Sequence, residues 1–376
     1  MSVTVKKVET GKELAQYIEF PNKLYKDMPA FVPKFFFDEK ETLSPETNPA
    51  FEFCDAESYL AYKDGKIAGR VTAIVNKKAN EIWNHKEVRF GWLDFVDDRE
   101  VSKALMDKVV EFGKARGMDK IVGPLGFTDL DPEGMLVDGY EELSTMALNH
   151  NWPYYKEHLE ALGYVKEIDW LEYKVYIPEV LPEKYHRVSE MVKERYNLHI
   201  RRYRRWEIKK YDVGNRLFKL ITDTYSQLYN YTPLTQGLID KYVKFYLGVL
   251  DLRYLIIVED ENNEMVGFGV GMPSITRALK KCKGKLFPFG WFHILKAMYI
   301  KHEPNMELFL IGVREDLRKK GATALIFEAM FEMAAKHGFK YAETNAELED
   351  NYSVRSQWEG LEYDQRKRRR VYQKGI

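Results

Sequence analysis

The pattern of apolar and polar residues repeats once along the 376-residue chain. SYLAYKDGKIAGRVTAIVN (58–76) alternates on both sides of an Asp64-Gly65 turn, and RYLIIVEDENNEMVGFGVGM (253–272) repeats this form with a longer polar turn. Strict alternation around a turn predicts a β-hairpin, because the side chains of a strand point alternately to its two faces. The sequence therefore predicts one hairpin in each half.

Each hairpin is followed by a continuously apolar segment and then by an amphipathic helix. The apolar segments are VRFGWLDFV (88–96) and MELFLIGV (306–313). A strand without alternation is typical of one that is covered on both faces. The helices end at Gly117 and Gly338, where glycine permits the left-handed conformation that caps many helices. The sequence therefore predicts two copies of one α+β unit.

A stretch with two prolines marks the boundary between the copies. IPEVLPEK (177–184) separates a finished strand from a polar helix, so we predict domains at 1–180 and 181–376. The second copy carries an insertion, TRALKKCKGKLFPFGWFHILKAMY (276–299), with a basic start and an aromatic continuation. This insertion is compatible with a cover for the site, with a lipid or partner contact, or with packing against the first domain.

Composition argues against several classes of protein. The chain has 58 basic and 58 acidic side chains, so no net field draws it to nucleic acid or to an anionic membrane. Cys54 and Cys282 are its two cysteines, which argues against a disulfide framework and fits a reducing compartment. The N-terminus lacks the apolar stretch of a secretory signal, and residues 286–300 are too short to span a bilayer. We therefore expect a cytoplasmic protein.

Metal and nucleic-acid sites are not predicted. The eight histidines show no H-x-x-x-H spacing and no pairing with cysteine. KRRRVYQK (367–374) alternates around Val371, which favours a final strand over a nucleic-acid patch.

A basic loop that contains glycine precedes the second amphipathic helix. It supplies Arg318, Lys319, Lys320, Gly321, Ala322 and Thr323. A loop that leads from a strand into a helix aims free backbone N–H groups and the positive end of the helix dipole at one point, which favours phosphate. The first half has Asp97, Asp98 and Glu100 at this place, and these would cap their helix while repelling a diphosphate. We therefore predict an anion site in the second half.

The loop resembles the pyrophosphate-binding loop of the GNAT superfamily of N-acetyltransferases, Q/R-x-x-G-x-G/A, with Thr323 at the last small position. The superfamily also places an Asn on the next helix, seven residues before an aromatic residue. Asn351 and Trp358 match these two positions within NYSVRSQWEGLEY (351–363), while Glu362 replaces the usual glycine.

Further motifs are similar to those of a group of bacterial tandem-GNAT proteins. They are GPLGFTDLDPEGMLVDGY (123–140), NWPYYKEHLEALGY (151–164), MPSITRAL (272–279) and EDNYSVR (349–355). The resemblance covers nearly the full chain. It implies two GNAT-like domains, each with a mixed, mostly antiparallel central sheet flanked by helices. It also implies that the first domain is a degenerate copy that shapes the acceptor cleft.

The resemblance implies an acyl-CoA-dependent N-acyltransferase, with acetyl-CoA or another acyl-CoA as co-substrate. In GNAT enzymes the fourth and fifth strands splay apart and hold the pantetheine arm; here those strands would be 307–313 and 341–347. A backbone N–H near Ile311 to Val313 would polarise the thioester carbonyl, and a bound amine would attack directly. The loop 318–323 would bind the diphosphate, with Asn351 and Trp358 beside the pantetheine arm.

Acid and base candidates follow from the same resemblance. The candidate bases are Glu343, Glu347 and Glu349. Strand alternation predicts that Glu343 and Glu347 share one face. Trp358 stands where the superfamily usually has the tyrosine that protonates the leaving thiolate. The candidate proton donors are therefore Tyr352, Tyr363 and Tyr372.

Two other functions stay open at this stage. Peptidoglycan enzymes of the Fem type also use tandem GNAT-like domains and take aminoacyl groups from tRNA, but they need a basic surface, and the zero net charge weighs against it. The missing tyrosine favours a non-catalytic CoA- or ligand-binding module. The expected acceptor is a small-molecule or peptide amine. The sequence leaves the acyl length and the oligomeric state open.

Overall fold

The computed structural model describes residues 2–247, 250–352, 356–358 and 360–376. The strands are β1 (Thr4–Lys7), β2 (Cys54–Lys63), β3 (Lys66–Asn76), β4 (Glu87–Phe95), β5 (Lys120–Gly123), β6 (Met135–Asp138), β7 (Val165–Tyr176), β8 (His199–Arg201), β9 (Leu255–Glu259), β10 (Met265–Pro273), β11 (Asn305–Val313), β12 (Tyr341–Thr344), β13 (Glu347–Leu348) and β14 (Tyr363–Gly375). The helices are α1 (Gly11–Leu24), α2 (Phe36–Leu43), α3 (Lys77–Trp83), α4 (Arg99–Lys114), α5 (Tyr154–Ala161), α6 (Glu183–Tyr196), α7 (Arg205–Lys210), α8 (Val213–Tyr225), α9 (Gln236–Tyr242), α10 (Thr276–Cys282), α11 (Gly290–Leu295), α12 (Glu315–Arg318) and α13 (Thr323–Lys336).

The strands form one mixed, mostly antiparallel sheet that runs through both halves. Its order is β1-β2-β3-β4-β5-β14-β7-β12-β11-β10-β9-β8, with β6 and β13 attached to β14 and β7. Helices cover the sheet, so the predicted α+β class is confirmed. No helix within the described ranges is both long and apolar enough to cross a bilayer.

The repeated units lie where the sequence predicts them. β2 and β3 form the first hairpin, with Asp64 and Gly65 both at positive φ in its turn, and β9 and β10 form the second. Gly117 and Gly338 adopt the left-handed conformation after α4 and α13, with φ of 75° and 78°. Every residue of β4 is buried, because α4 packs on one face of it while α1 and α2 pack on the other.

The last strand of the chain crosses into the first half. β14 lies between β5 and β7, and β7 pairs in turn with β12 of the second half. Val371 is buried in β14, which confirms the final strand predicted at 367–374. Each half therefore completes its sheet with a strand of the other. The domain boundary at residue 180 stays a prediction, and the sheet crosses it without a break.

A buried ion cluster joins the exchanged strands. The Glu172 carboxylate on β7 accepts a hydrogen bond from Lys367 Nζ at 2.9 Å and another from Arg369 Nε on β14, and each of the three side chains is at most 3% exposed. Burial alone would raise the pKa of Glu172, but the two cations outweigh burial and hold the pKa below its ordinary value. The cluster favours this pairing because separating the strands would leave buried charges uncompensated.

Helices of both halves also share a core beside the sheet. Val32 and Phe35 of the first half pack in one cluster with Leu217 on α8 and Leu279 on α10. This shared core brings α2 of the first half close to β10 and β11 of the second half.

Candidate functional site

β11 and β12 part in the middle of the second half. Their parallel pairing runs from Asn305 opposite Tyr341 to Leu308 opposite Thr344 and ends there. β11 continues to Val313 alongside β10, whereas the chain beyond β12 turns into β13, which pairs with β7. A gap therefore opens between the last part of β11 and β13.

The predicted strand 341–347 is wrong in one respect, because it is broken at Asn345 and Ala346. The expectation that alternation places Glu343 and Glu347 together is wrong for the same reason. Glu343 is held by Asn305 Nδ2 at 2.6 Å, and burial raises the pKa of Glu343 to about 7. Glu347 lies past the break and lines the gap.

A tyrosine from α8 occupies the β11 side of the gap. The Tyr225 hydroxyl donates to the Ile311 carbonyl at 3.0 Å and accepts from the Ile311 N–H at 3.3 Å. Burial raises the pKa of Tyr225 above its ordinary value, so the hydroxyl stays protonated at neutral pH. Sequence reasoning missed Tyr225 because nothing local distinguishes it from any tyrosine at the end of an amphipathic helix.

Three predicted residues meet on the opposite side. Glu347, Asn351 and Trp358 line the same cavity. The buried Trp358 indole donates from Nε1 to Glu347 Oε2 at 3.4 Å and packs edge-on against Phe327, with ring centroids 5.0 Å apart. Trp358 therefore orients Glu347. Residues 353–355 and 359 of the 351–363 motif lie outside the described residues.

The other acid and base candidates lie elsewhere. Glu349 is held by Lys166 at 2.7 Å and by the Asp169 N–H at 3.1 Å. Tyr363 is exposed at the start of β14, and Tyr352 is exposed as well. The prediction of Tyr372 as an alternative proton donor is wrong, because its side chain is only 1% exposed and lies in the core of the first half.

The basic segment leads into α13, but the short helix α12 separates it from β11 and ends at Arg318, so the prediction of a loop that follows the strand directly is wrong in this respect. Arg318, Lys319 and Lys320 are exposed, and Gly321 has a φ of 85°, which favours glycine. Ala322 precedes the first turn of α13 and provides no side-chain cap, so the backbone N–H groups of that turn lack a side-chain acceptor at this position. Thr323 is the first residue of the helix.

In the first half, side chains of that half fill the positions equivalent to the basic loop and to the gap. Asp98 caps α4 through the Glu100 N–H, and Lys63 pairs with both carboxylates. Between β4 and the chain after β5, Tyr155 accepts a hydrogen bond from the Phe95 N–H at 2.8 Å and stacks on the Phe95 ring at 4.1 Å. About 30 Å³ of space remains there, which is room for one water molecule.

The gap in the second half opens into a cavity of about 390 Å³ between the two halves. Its walls are mainly apolar, and they include Phe35, Trp170, Leu217, Ile221, Met272 and Leu308. A cavity of this size and lining suits a small organic ligand or an alkyl chain.

Six carboxylates of the first half line this cavity, three on α2 (Asp38, Glu39 and Glu41) and three in the chain between β5 and β6, and Lys34 and Lys241 line it as well. Asp129, Asp131 and Glu133 belong to the TDLDPE stretch within 123–140. The Thr232 N–H donates to Asp129 at 2.9 Å, and the Thr128 N–H donates to Asp131 at 3.0 Å. Within the part of the chain that the structure describes, none of the three carboxylates between β5 and β6 has an ion-pair partner.

Enclosure in the cavity wall changes the acidity of these groups. Burial raises the pKa of Asp129 and of Asp131 to about 6. Burial, together with the charge of Asp129, raises the pKa of Glu133 well above its ordinary value. The sequence analysis uses this stretch only as a motif that carries the resemblance and predicts no binding or catalytic role for its acidic residues. The signal that could have identified the site is the spacing of the acidic residues, which occupy positions 129, 131 and 133 between Gly126 and Gly134.

Tyrosines connect the carboxylates to the gap. The pKa of each tyrosine is raised mainly by burial. The negative charge of Asp129 raises the pKa of Tyr231 further, and that of Glu347 raises the pKa of Tyr225 further. The two rings lie edge to face with centroids 6.4 Å apart. The carboxylates and the gap are therefore two polar ends of one largely apolar cavity.

Among the described residues, one group of possible metal ligands lies between α6 and α13, with Glu328 buried and the other two members exposed. The ligand atoms of His186, Glu190 and Glu328 all lie within 4.8 Å of one another. His186 Nδ1 is 2.7 Å from Glu328, and Lys193 lies 2.7 Å from Glu190 and 3.5 Å from Glu328. These ion pairs account for the cluster, and the expectation of no metal site stays a prediction.

Comparison with known proteins identifies relatives of the whole chain. No family model matches the sequence. Protein YghO of Escherichia coli K12 is 26% identical over 374 residues, which cover 97% of this chain and 93% of that protein. A bacterial ceramide synthase of Caulobacter vibrioides is 26% identical over 381 residues, which cover 98% of this chain and 96% of the synthase.

Solved structures share the fold. A tandem GNAT protein from the clavulanic acid biosynthesis pathway matches with a TM-score of 0.55 and 12% identity, over 100% of this chain and 98% of the other. A GCN5-related glucosamine N-acetyltransferase region of a fungal multi-domain β-N-acetylglucosaminidase matches with a TM-score of 0.58 and 13% identity, over 99% of this chain and 38% of the other. The parted strands, the basic loop and these likenesses agree, and the chain has the tandem GNAT fold.

Proposed function

We propose that the protein transfers an acyl group from acyl-CoA to the amine of an apolar, long-chain acceptor. The observation that carries this proposal is the gap between β11 and β13, which opens into an apolar cavity walled by both halves. The tandem GNAT fold supports acyl transfer, and the name of the ceramide synthase relative supports a lipid-like acceptor.

In this proposal acyl-CoA binds in the second half. The pantetheine arm lies along the edge of β11 left free by β12, from Ile311 towards Val313, with Asn351 and Trp358 opposite, and it displaces the Tyr225 hydroxyl from Ile311. The diphosphate lies at 318–323, where exposed basic side chains surround the start of α13, which has no side-chain cap. The closed gap beside Tyr155 supports the view that the first half is a degenerate copy.

The chemistry follows from the groups at the gap. The neutral amine attacks the thioester carbon, the C–N bond forms, and the C–S bond breaks to release the CoA thiolate. Glu347 accepts the proton of the attacking amine. Once the pantetheine arm has displaced it from the Ile311 carbonyl, the protonated Tyr225 hydroxyl donates a hydrogen bond to the departing thiolate, which is the role that the resemblance gave to the position of Trp358. No covalent enzyme intermediate is needed.

The carboxylates of the first half define the acceptor end of the cavity. The protonated amine of an alkyl chain would first place its charge beside Asp129 and Asp131 and its chain against the apolar walls, and it would have to lose a proton and move to the gap before it attacks the thioester. Arg89 and Lys241 act on these carboxyl groups from beyond ion-pair distance, and an ammonium group would supply the direct partner that a neutral polar acceptor would not. We therefore propose a long-chain primary amine as the acceptor class.

An assay of CoA release tests the function. The purified protein is incubated with acetyl-CoA or palmitoyl-CoA and with either hexadecylamine or glucosamine, and the free thiol and the amide product are followed. We expect turnover with hexadecylamine. Glu347→Gln should lower kcat by about 10²-fold or more, because a general base contributes roughly 10²–10⁴-fold.

Glu349→Gln is the matched control, since Lys166 already holds that carboxylate outside the cavity. This variant should keep most of the activity. Binding of CoA without turnover of either amine would contradict the proposal and favour a non-catalytic module. Transfer that requires aminoacyl-tRNA would favour the Fem-type alternative.

A further inference from the structure

Exposed apolar side chains are concentrated on residues 287–300, which we call the aromatic ridge. Of the sixteen large hydrophobic side chains exposed among the described residues, seven belong to this ridge. The most exposed are Phe287 at 81%, Ile300 at 74% and Phe289 at 72%. Contiguous apolar patches of this kind mark contact sites rather than ordinary solvent-facing surface.

The ridge is apolar on both of its faces. Its inner face is anchored in the protein by Gly290, Ile294, Ala297 and Met298, which are buried. Its outer face presents Trp291, Phe292, Leu295 and Tyr299, which are 45–49% exposed. The inner face therefore fixes the position of the ridge, and the outer face remains exposed.

Basic side chains flank the ridge. The stretch 275–302 contains no acidic residue. Lys281, Lys283, Lys296 and Lys301 are exposed, and within the described residues they form no ion pair. This local excess of positive charge is notable because the chain as a whole has a net charge of zero.

Exposed aromatic side chains with lysines beside them favour one kind of binding partner. Aromatic side chains enter the headgroup region of a bilayer, and lysines beside them remain at the level of the phosphates, so an anionic lipid surface satisfies both. A second copy of the chain is a poorer occupant, because a symmetric contact would set the same lysines against each other.

The ridge also lies on the outside of one wall of the cavity. Leu279 on α10 lines the cavity and packs in the same core as Ile294 and Met298 on the inner face of the ridge. A lipid surface at the ridge would therefore be close to the place where we propose that a long-chain acceptor binds.

We propose that the aromatic ridge docks the protein on the surface of an anionic lipid bilayer. This inference goes beyond the proposed function and does not depend on it, since docking requires no turnover. The outer side chains enter the headgroup region, the flanking lysines contact anionic lipid headgroups, and the segment lies on the membrane without spanning it.

Cosedimentation with vesicles tests the proposal. The full-length protein should bind vesicles made of equal parts phosphatidylcholine and phosphatidylglycerol, and bind phosphatidylcholine vesicles weakly. Phe287→Ser/Phe289→Ser/Ile300→Ser should lower binding at least roughly tenfold, because the burial of apolar side chains drives interfacial binding. Val180→Ser/Trp206→Ser, which removes exposed apolar groups elsewhere, should bind as the wild type does.

A charge variant separates the two contributions. Lys281→Glu/Lys283→Glu should also lower binding about tenfold or more, and the remaining binding should be less sensitive to salt. Thermal melts followed by circular dichroism should match the wild type, because all these side chains are exposed. Wild-type binding that is insensitive to the ridge substitutions would overturn the proposal. Failure of the wild type to bind either vesicle would also overturn it, and a dimer dispersed by the ridge substitutions would then identify a second copy as the occupant.

Discussion

Asp129, Asp131 and Glu133 are carboxyl groups enclosed in a cavity wall, and the described residues provide them with no ion-pair partner. Burial disfavours the charged form of a carboxyl group, so this arrangement lowers the stability of the folded protein at neutral pH. Ionisable groups whose burial destabilises the folded protein in this way are characteristic of binding and catalytic sites. An incoming ammonium group would restore the balance of charge.

We predict that the affinity for octylamine rises between about pH 5 and pH 7. An alkylamine stays protonated over this range, whereas Asp129 and Asp131 lose their protons near their raised pKa of about 6. Isothermal titration at several pH values should therefore give a midpoint near 6. The Asp129→Asn/Asp131→Asn variant should bind more weakly and with a flatter pH dependence. An equally steep dependence in the variant would contradict the assignment.

The same variant provides a control for folding. A raised pKa means that the stability contributed by the protonated carboxyl is fully present below the ordinary pKa of about 3.9 and is lost as the pH rises through about 6. The double Asn variant should therefore be at least as stable as the wild type at pH 7. Weak amine binding by a stable variant would separate function from misfolding.

At the scale of elements, α13 begins after β11, the short helix α12 and a loop that contains glycine. Gly321 takes the left-handed conformation, Ala322 provides no side-chain cap, and basic side chains flank the first turn. Lys320 Nζ lies 4.9 Å from the centre of the Tyr196 ring, which keeps this lysine close to the helix start. These features favour binding of a diphosphate at the N-terminal end of α13, because the positive end of the helix dipole acts only over the first turn.

Lys320→Glu is predicted to weaken CoA binding about tenfold or more, because it places a negative charge beside the proposed diphosphate site. Lys336→Glu makes the same change at the other end of α13, where the side chain is also exposed, and should leave CoA affinity nearly unchanged. Isothermal titration with CoA measures both. Equal losses in the two variants would indicate a general effect of net charge and would remove the support for the site.

At the scale of the whole molecule, exchanged strands unite the two halves. β14 completes the sheet of the first half, and β7 connects it with the second. The ion cluster of Glu172, Lys367 and Arg369 lies between these two strands. The proposed cavity depends on this union, because its walls come from both halves.

Glu172→Gln is predicted to lower the free energy of unfolding by about 3–5 kcal/mol, since it leaves two buried cations without their counterion. Because the pKa of Glu172 is lowered, its stabilisation is present above the ordinary pKa of about 4.3 and is lost as the pH falls below that value. Urea unfolding measured by fluorescence should show a single transition for both halves. The exposed Glu194→Gln should change stability by less than about 0.5 kcal/mol. Two separate transitions would contradict the structural union of the halves.

Much of the fold could be predicted from the sequence because it depends on local patterns. The hairpin turn at Asp64-Gly65, the caps at Gly117 and Gly338 and the fully covered β4 follow from properties of neighbouring residues. The candidate site was predictable in part. Glu347, Asn351 and Trp358 belong to one short motif and do meet at the cavity, whereas Glu343 and Tyr372 are held elsewhere by contacts with distant strands.

The sequence by itself determined the repeated unit, the basic loop before α13 and its acidic counterpart in the first half, because periodicity and helix-end chemistry act over a few residues. The tertiary structure alone decided that the chain breaks at Asn345, that β14 enters the first half, and that Tyr225 meets the gap. It also decided that the carboxylates of 129–133 face the same cavity. These features depend on contacts between residues far apart in the chain, and such contacts form only when both halves pack on one shared sheet.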